Sequence, residues 1–501
     1  MRSCQILFLF FIIRFNIFAI GIHSQPDSIL ECTIGVASGK ATSDGRPLLW
    51  KTRDMTIEPN ILYYNTSYKY KFIGVTTAKN TSFTWMGMNE HGFSIVASRI
   101  YDLKVTNTSG VASGQIMSIT LGTCRTVEEF QQYLDKTNLS GRSDMANFAV
   151  IDSTGAAKLF EAGGDNYYSY DTEEANEGYI VRTNFSIKGE GTAGLNRYIR
   201  SNKLINDFYN GDSLNYKSIL RYQLRDLSNP NSTPIPVPNI AGNPEEPTYG
   251  YINWSNSICN NYSIAAAVIH GVSKKEHPGL STMWTMLGSP STSIAVPYWP
   301  IGEIPYEASS SNKYPLYAVS DSLKQLLYYN NPKDVSKINS FKLKNPCVSK
   351  DNYVGLWYGI FSMEDEIMYR TNIFLDSIRQ LDQLPIQTML HKEETLTKQV
   401  YKTLQQEYGK MRNATHVTPC PRSADEKIQI YPTFAHTNIT VKINNSNKYV
   451  FKLYNMTGQT VKEQQIENNP EIMDVSMLCK GIYLAVFTGG DEIITKKIIL
   501  E

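Results

Sequence analysis

Residues 31–54 read ECTIGVASGKATSDGRPLLWKTRD, with two apolar runs on either side of an Asp-Gly pair at positions 44 and 45. Asp-Gly between alternating apolar residues is a strong β-hairpin signal. The sequence therefore predicts two paired strands joined by a two-residue loop. The strand register that follows from this loop sets Asp54 opposite Gly35. Such a hairpin brings the Lys-Thr-Arg-Asp cluster of residues 51–54 close to Cys32, where charged groups can tune the pKa of a thiol.

Cys32 has three interpretations: half of a disulfide, a buried apolar residue, or the first residue of the mature protein. Upstream of it, Arg2 precedes the apolar run ILFLFFII (6–13), a pattern typical of a secretory signal. Signal cleavage after Gly21 or Ser24 would leave a short stub ending in Glu31. We therefore predict a signal peptide at 1–24 and a propeptide at 25–31.

An N-terminal cysteine is chemically distinctive because it carries a nucleophile and a base in one residue. Its α-amine, with a reference pKa of about 7.7–8.0, can take the proton of the thiol. Inside a longer chain the same nitrogen belongs to an amide and cannot act as a base. A catalytic Cys32 therefore requires cleavage of the Glu31–Cys32 bond.

The composition narrows the classes of partner. The chain has 501 residues, which predicts two or more domains, and its 48 Lys+Arg against 47 Asp+Glu leave a net charge of +1. Without a basic stripe, nucleic acid and anionic membrane surfaces are not expected as partners. Beyond the signal no run of about 18 apolar residues occurs, so no stable membrane span is expected. The seven histidines lack metal-ligand spacing, so we expect no metal and no cofactor.

The order of apolar patterns predicts an α+β fold. Short strand-like runs dominate residues 32–300, and helical periodicity covers 126–137, 194–210, 361–383 and 392–412. In the first helical segment Thr126 is the expected N-cap, with Glu129 three residues on. Residues 413–424 contain two prolines and no periodicity, which indicates a linker. Residues 425–501 alternate apolar and polar residues between Gly or Asn turns, which predicts a small all-β sandwich.

Several motifs in order resemble the N-terminal-nucleophile (Ntn) cysteine hydrolases of the linear-amide branch: acyl-coenzyme A:6-aminopenicillanate acyltransferase-like proteins, with choloylglycine hydrolases further off. The opening Cys-Thr, the Asp-Gly turn and the basic-x-x-Asp ending at 51–54 resemble their first hairpin. The later matches are WMGMNEHGFSIVAS (85–98), ANFAVIDSTGAAKLFEAGG (146–164), RTNF (182–185), GLNRYIRSNKLI (194–205) and STMWTMLGSPSTSIAVP (281–297). The resemblance implies a four-layer αββα domain, which we place at 32–412.

The resemblance also implies roles for individual residues. Cys32 matches the nucleophile, Asp54 the carboxylate that holds its α-amine, and Asn184 the donor to the oxyanion. Arg197, with Arg200 as a competing candidate, matches the arginine near the nucleophile. Two positions depart from the choloylglycine pattern. Lys51 stands where those enzymes have an arginine, and Ser98 or Arg99 stands where they have a further asparagine. We expect Lys51 and Arg99 to bind substrate.

The end of the chain resembles the C-terminal sorting domain of the Bacteroidetes type IX secretion pathway. The matching pieces are IYP, LYNMTGQTV, DVSMLCKGIYLAVF and KKIIL within 425–501. This resemblance implies export by the type IX machinery, with the protein secreted or held at the cell surface.

The sequence thus predicts a secreted Ntn-type cysteine amidohydrolase that acts on a small linear amide or N-acyl substrate after self-cleavage. The alternatives of the same fold are an acyltransferase and a dipeptidase. The rival from another class is an inactive surface-binding protein with Cys32 in a disulfide. A homo-oligomer is compatible with the sequence, and the substrate itself is left open.

Overall fold

The computed structural model describes residues 31–56, 58–104, 109–228, 250–329, 333–344, 355–381, 383–414, 428–431, 434–435, 437–444, 447–455, 458–489 and 492–500. The predicted signal peptide, most of the predicted propeptide and residues 415–424 of the predicted linker lie outside this part of the chain. The helices are α1 (Ser113–Thr123), α2 (Val127–Ser140), α3 (Leu195–Asn210), α4 (Tyr216–Ser218), α5 (Tyr306–Ser309), α6 (Pro315–Leu327), α7 (Ser340–Leu343), α8 (Leu356–Ile378) and α9 (Ile386–Asn413).

The strands of the first two-thirds of the chain are short and mostly buried. They are β1 (Cys32–Ala37), β2 (Leu48–Asp54), β3 (Asn60–Asn65), β4 (Phe72–Thr77), β5 (Met86–Asn89), β6 (Ser94–Arg99), β7 (Ala146–Ile151), β8 (Ala157–Ala162), β9 (Tyr167–Asp171), β10 (Tyr179–Arg182), β11 (Tyr251–Asn253), β12 (Ser263–His270), β13 (Thr282–Leu287), β14 (Val296–Tyr298), β15 (Tyr328–Tyr329) and β16 (Asp334–Asn339).

Two antiparallel sheets pack face to face in this region. The first has the strand order β10-β1-β2-β12-β13-β14, and the second runs from β3 to β9 in chain order. Strands β1 and β2 contact β6 and β7 of the opposite sheet. The core between the sheets joins Ile34 and Trp50 of the first sheet to Met86 and Val96 of the second. Every residue of β1 and β2 is buried, as expected for strands that are covered on both faces.

Helices cover the outer face of each sheet. Helix α1 packs on β5 and β6, whereas α3 packs on β10 and β1, and α6 and α9 pack on β13 and β14. A second apolar cluster, which includes Ile95, Ile116 and Phe130, lies beneath α1 and α2. The layers therefore run helix, sheet, sheet, helix, and the α+β four-layer prediction is confirmed.

The predicted helices are present, with small differences at their ends. The side chain of Thr126 accepts a hydrogen bond from the backbone N–H of Glu129 (3.1 Å), so this residue is the N-cap of α2, as the sequence predicts. The periodic segments at 194–210, 361–383 and 392–412 correspond to α3, α8 and α9. The last two helices begin several residues before the predicted segments.

The predicted register of the first hairpin is wrong. Cys32 pairs with Arg53, and Gly35 pairs with Trp50 rather than with Asp54. The reason is that Asp44-Gly45 turns inside a longer loop, residues 38–47, in which the Thr42 hydroxyl donates to the carbonyl oxygen of Arg46 (2.8 Å). In the true register, residues 51–53 of the charged cluster pair with the first three residues of β1, so the cluster lies directly beside Cys32.

The C-terminal region is all-β, as predicted. Its strands are β17 (Ile428–Tyr431), β18 (Phe434–Ala435), β19 (Asn438–Ile443), β20 (Val450–Asn455), β21 (Thr460–Gln465), β22 (Glu471–Asp474), β23 (Gly481–Gly489) and β24 (Glu492–Leu500). They form a sheet of order β17-β19-β22 and a sheet of order β18-β24-β23-β20-β21. Alternate residues of β23, such as Ala485 and Phe487, are buried with Phe451 in an apolar core of this region's own.

The described residues contain neither a candidate membrane-spanning helix nor a candidate metal site. None of the helices in this part of the chain combines the length and the apolar character needed to cross a membrane. Within the same residues, no group of three or more His, Cys, Asp and Glu side chains is arranged to hold a metal ion.

Candidate active site

Cys32 is the first residue of β1, a strand that lies between β10 and β2 in the first sheet. Its side chain is 6% exposed, and its thiol is free. Because every residue of β1 is buried, the position of the cysteine is fixed by the sheet itself. Rigid placement on a strand is what a reacting group requires.

The peptide bond between Glu31 and Cys32 is held at both of its polar atoms. The backbone N–H of Asp54 donates to the carbonyl oxygen of Glu31 (2.9 Å). The backbone N–H of Cys32 donates to Oδ1 of Asn184 (3.0 Å). The amide nitrogen of Asn184 in turn donates to the carbonyl oxygen of Arg99 (2.8 Å). Asn184 therefore presents its oxygen to the cysteine nitrogen in the uncleaved chain.

Arg197 on α3 connects the pieces of this site. Nη1 of this buried residue donates to the carbonyl oxygen of Cys32 (2.7 Å) and to Oγ1 of Thr33 (3.1 Å). Its Nη2 donates to Oδ1 of Asn184 (2.8 Å) and lies 3.4 Å from Oε2 of Glu31. One planar guanidinium thus contacts groups on both sides of the Glu31–Cys32 bond, a geometry that lysine cannot reproduce.

Asp54, at the end of β2, is completely buried. Its carboxylate accepts hydrogen bonds from Nδ2 of Asn260 (2.9 Å) and Oγ of Ser263 (2.6 Å). Burial raises the pKa of Asp54 to about 6, although the charge of Arg197 and both hydrogen bonds oppose that rise. Lys324 holds the backbone of Ser263 in place next to Asp54, because its ammonium donates to the carbonyl oxygen of Ser263 (3.1 Å).

Lys51 and Arg53 bring two buried positive groups next to Cys32. Nζ of Lys51 donates to the carbonyl oxygens of Trp85 (3.0 Å) and Ala97 (2.5 Å). Burial lowers the pKa of Lys51, and the nearby Cys32 thiol opposes that shift. Burial also lowers the pKa of Arg53 to about 10, and its guanidinium carbon lies 4.5 Å from the ring centroid of Trp85.

A cavity of about 160 Å³ opens beside these groups. Arg99 lines it and is exposed, whereas Lys51 and Arg53 line it from buried positions. Asp144 also lines it, and its carboxylate accepts from the backbone N–H (2.7 Å) and hydroxyl (2.8 Å) of Ser113 at the start of α1. The lining residues are Cys32, Lys51, Arg53, Asp54, Phe83, Trp85, Ala97, Arg99, Ala112, Ser113, Gly114, Met117 and Asp144.

The structure thus brings the sequence-predicted site residues into one place. Cys32, Asn184 and Arg197 form a connected hydrogen-bond network. Asp54 joins it through its backbone N–H, which donates to the carbonyl oxygen of Glu31. Lys51 and Arg99 line the adjoining cavity. The competing candidate Arg200 is instead paired with Asp226, Nη2 to Oδ2 at 2.7 Å.

Sequence reasoning missed Arg53, Asn260 and Ser263 as members of the site. Arg53 belongs to the Lys-Thr-Arg-Asp cluster of residues 51–54. Because side chains two residues apart on a strand lie on the same face, Arg53 could have been predicted to lie on the same face of β2 as Lys51. Asn260 and Ser263 reach Asp54 only through the pairing of β12 with β2, a contact between residues more than 200 positions apart.

The remaining described cysteines lie elsewhere and are also free. Cys124 and Cys259 are buried, and Cys479 is exposed. Burial raises the pKa values of the Cys124 and Cys259 thiols to about 11. Cys347 and Cys420 lie outside the described residues.

Two family models match separate parts of the chain. Residues 41–230 match the family model described as acyl-coenzyme A:6-aminopenicillanic acid acyl-transferase. Residues 429–501 match the family model described as secretion system C-terminal sorting domain. Both resemblances seen in the sequence are therefore confirmed, and the first supports an enzyme of acyl-transfer or amide chemistry. A search of the curated proteins found no match.

A search of solved structures also returned matches of low identity and low TM-score. An N-acylethanolamine-hydrolyzing acid amidase ortholog from Caenorhabditis elegans is 14% identical, with a TM-score of 0.32 over 50% of this chain and 93% of its own. Penicillin V acylase from Agrobacterium tumefaciens is 13% identical, with a TM-score of 0.33 over 54% and 86%. A mutant of conjugated bile acid hydrolase from Clostridium perfringens is 13% identical, with a TM-score of 0.31 over 51% and 89%. Similarity at this level carries no information about the substrate.

Proposed function

We propose that this protein is a secreted cysteine amidohydrolase that cuts its own chain between Glu31 and Cys32 and then hydrolyses linear amides through an acyl-thioester on Cys32. The observation that carries the proposal is the peptide bond at residue 31. Its carbonyl oxygen and its amide nitrogen are both hydrogen-bonded, by Asp54 and Asn184, directly at a free thiol. A hydrogen bond to the carbonyl oxygen favours the negative charge that attack on its carbon creates.

Self-cleavage follows from this geometry as an acyl shift. The Cys32 sulfur attacks the carbonyl carbon of Glu31, and the oxyanion forms where the Asp54 N–H already donates. The C–N bond then breaks, the nitrogen takes the proton that the thiol gave up, and Glu31 becomes a thioester of Cys32. Water hydrolyses that thioester, which releases the propeptide carboxylate and regenerates the thiol.

The mature enzyme has a base that the uncleaved chain lacks. The freed α-amine of Cys32 accepts the thiol proton, the thiolate attacks the substrate carbonyl, and the protonated amine returns its proton to the leaving nitrogen. Lys51 and Arg53 place two buried cationic side chains in the cavity beside the sulfur. We assign Arg197 and the oxygen of Asn184 to holding the cysteine main chain, and the Asp54 carboxylate to the ammonium form of the α-amine. The substrate oxyanion is assigned to the backbone N–H of Asp54, which the Glu31 carbonyl oxygen occupies in the uncleaved chain, together with the side-chain amide of Asn184, which there donates to the carbonyl oxygen of Arg99.

Acyl transfer is a second candidate function, favoured by the description of the family model that matches residues 41–230. The same acyl-thioester would then pass its acyl group to an amine rather than to water. Product analysis with and without added amine acceptors distinguishes the two outcomes.

The C-terminal region is proposed to direct export. The match of residues 429–501 to a secretion sorting domain supports delivery to the cell surface or the medium, and we propose the type IX machinery as its partner. We also propose the domain limits given by the sequence: signal peptide 1–24, propeptide 25–31, catalytic domain 32–412, linker 413–424 and sorting domain 425–501.

N-terminal sequencing of the purified protein tests the proposal. The mature chain is expected to begin at Cys32, and Cys32→Ala is expected to leave the bond uncut and to abolish amidase activity. Cys124→Ala is a matched control, since it removes another buried free thiol and should leave both processing and activity in place. An active protein that begins upstream of Cys32 would refute the proposal, as would a Cys32→Ala variant that still cleaves amides.

A further inference from the structure

We infer that the substrate of this enzyme is an amide whose acyl group carries a second carboxylate, of the five-carbon glutaryl type. The inference rests on the proposed function and adds the substrate class. It starts from the residue that the enzyme acts on first. In self-cleavage, Glu31 is the acyl group that Cys32 attacks, so the structure of the uncleaved chain already holds an acyl group in the site.

The Glu31 acyl group is held at two points. Its carbonyl oxygen accepts from the Asp54 N–H (2.9 Å), and its side-chain Oε2 lies 3.4 Å from Nη2 of the buried Arg197. The same sulfur attacks the substrate, so the substrate carbonyl takes up a position equivalent to that of Glu31. The group attached to that carbonyl then lies where the Glu31 side chain lay, with its far end toward Arg197.

Loss of the propeptide leaves this site with excess positive charge. Arg197 is 2% exposed and loses its Glu31 partner, and a buried charge without a partner is costly. A substrate carboxylate at the position of the Glu31 carboxylate restores the ion pair that Arg197 has in the uncleaved chain.

The cavity beside Cys32 strengthens the preference for an anion. Among the described residues, Nη1 of the buried Arg53 has no hydrogen-bond partner, and the exposed Arg99 lines the same cavity. The same cavity is lined by three cationic side chains, Lys51, Arg53 and Arg99, and by two carboxylates, Asp54 and Asp144, so its balance of charge is positive. A long apolar acyl chain would find little room in about 160 Å³ lined by charged groups.

The chain length follows from glutamate itself. The carbonyl carbon of Glu31 and its side-chain carboxylate carbon are the two ends of a five-carbon skeleton, which is the skeleton of a glutaryl group. A succinyl group is one methylene shorter, so its carboxylate reaches less far from the carbonyl toward Arg197. An amide of glutaric acid, or one of an α-glutamyl residue, reproduces both.

Two measurements on the full chain test the inference. The first compares kcat/KM of the mature wild-type enzyme for glutaryl p-nitroanilide and for the neutral analogue in which the free carboxylate is a primary amide. Because the analogue loses only the charge-assisted contact, the glutaryl compound is expected to be preferred by at least about tenfold. Succinyl p-nitroanilide serves as the length control and is expected to fall below the glutaryl compound. Equal rates for glutaryl and its amide, or a preference for the amide, overturn the inference.

The second measurement uses the precursor. Glu31→Gln removes the carboxylate from the acyl group that is cut first, and is expected to slow processing by about three- to tenfold. The mature enzyme released from this variant is chemically identical to the wild type, so any effect belongs to recognition of the acyl group. Glu128→Gln, an exposed glutamate on α2, is the matched control and should process at the wild-type rate.

The outcomes separate this inference from the proposed function. If Glu31→Gln is processed at the wild-type rate, the inference is overturned even though cleavage at Cys32 stands. If the mature enzyme turns over neither anilide, the processing rates decide the inference by themselves. If the wild-type chain is never cut at Glu31–Cys32, the proposed function itself fails.

Discussion

Replacement of Asp54 by asparagine should change how the stability of the uncleaved chain depends on pH. The experiment uses the Cys32→Ala chain, in which the bond after Glu31 stays intact and the surroundings of Asp54 are those described above. Asp54 is completely buried, and desolvation is the largest influence on its carboxyl group. The folded-state pKa of Asp54 is raised from 3.8 to about 6.

The sign and the size of the effect follow from proton linkage. Between these two pKa values the folded chain binds a proton that the unfolded chain has lost, so Asp54 stabilises the fold fully below pH 3.8 and loses that contribution as the pH rises through about 6. The whole change corresponds to about 3 kcal/mol, of which about 2 kcal/mol falls between about pH 4.5 and about pH 7.5. The asparagine side chain of the variant cannot titrate, so the stability of the variant relative to its parent should rise by that amount over this interval.

Urea unfolding of both chains at a series of pH values measures the difference. Ser263→Ala, made in the same parent, removes a hydrogen bond of 2.6 Å to the Asp54 carboxylate and should raise the pKa of Asp54 further. Ser257→Ala is the matched control, because its hydroxyl donates to the carbonyl oxygens of Trp254 and Cys259 and not to Asp54. A stability difference between Asp54→Asn and its parent that stays constant from about pH 4.5 to about pH 7.5 would contradict the linkage reasoning.

Three further predictions concern other groups. Asn184→Ala should slow amide hydrolysis by about 10²–10³-fold, the cost of losing one oxyanion donor, and a rate close to that of the wild type would contradict its assigned role. Glu364→Gln should lower the free energy of unfolding by about 3–5 kcal/mol, because it leaves the buried Arg225 without its partner at 2.7 Å; urea unfolding checks this. Iodoacetamide under mildly alkaline conditions should spare Cys124 and Cys259 in the folded protein, because burial raises the pKa values of their thiols to about 11, and mass spectrometry before and after unfolding reads the outcome.

Local sequence signals predicted much of this fold. Apolar periodicity located α2 and α3, and the N-cap of α2 at Thr126 is present as expected. Ordered motifs also identified Cys32, Asn184 and Arg197, which the structure joins in one hydrogen-bond network. These signals succeed because each depends on residues that are neighbours in the sequence or lie within one motif.

The errors arose where distant parts of the chain meet. The Asp-Gly pair marks a turn correctly but does not reveal that residues 38–47 form one longer loop, held in part by the contact of Asp44 with His270 (2.7 Å). Asn260 and Ser263 could not be assigned to Asp54 because only the pairing of β12 with β2 brings them there. Strand order in an antiparallel sheet is decided by packing, which a local pattern does not record.

The place of Cys32 at the very start of β1 bears on how the enzyme is activated. Cleavage of the bond before it would remove one backbone hydrogen bond, from Asp54 to Glu31, whereas Thr33–Ala37 pair with β2 and Ile34–Ala37 pair with β10. Under the proposed function, activation is a covalent change at the rim of a finished sheet. The precursor and the mature chain should then share one apolar core, and the timing of activity would be set by chemistry at a single bond.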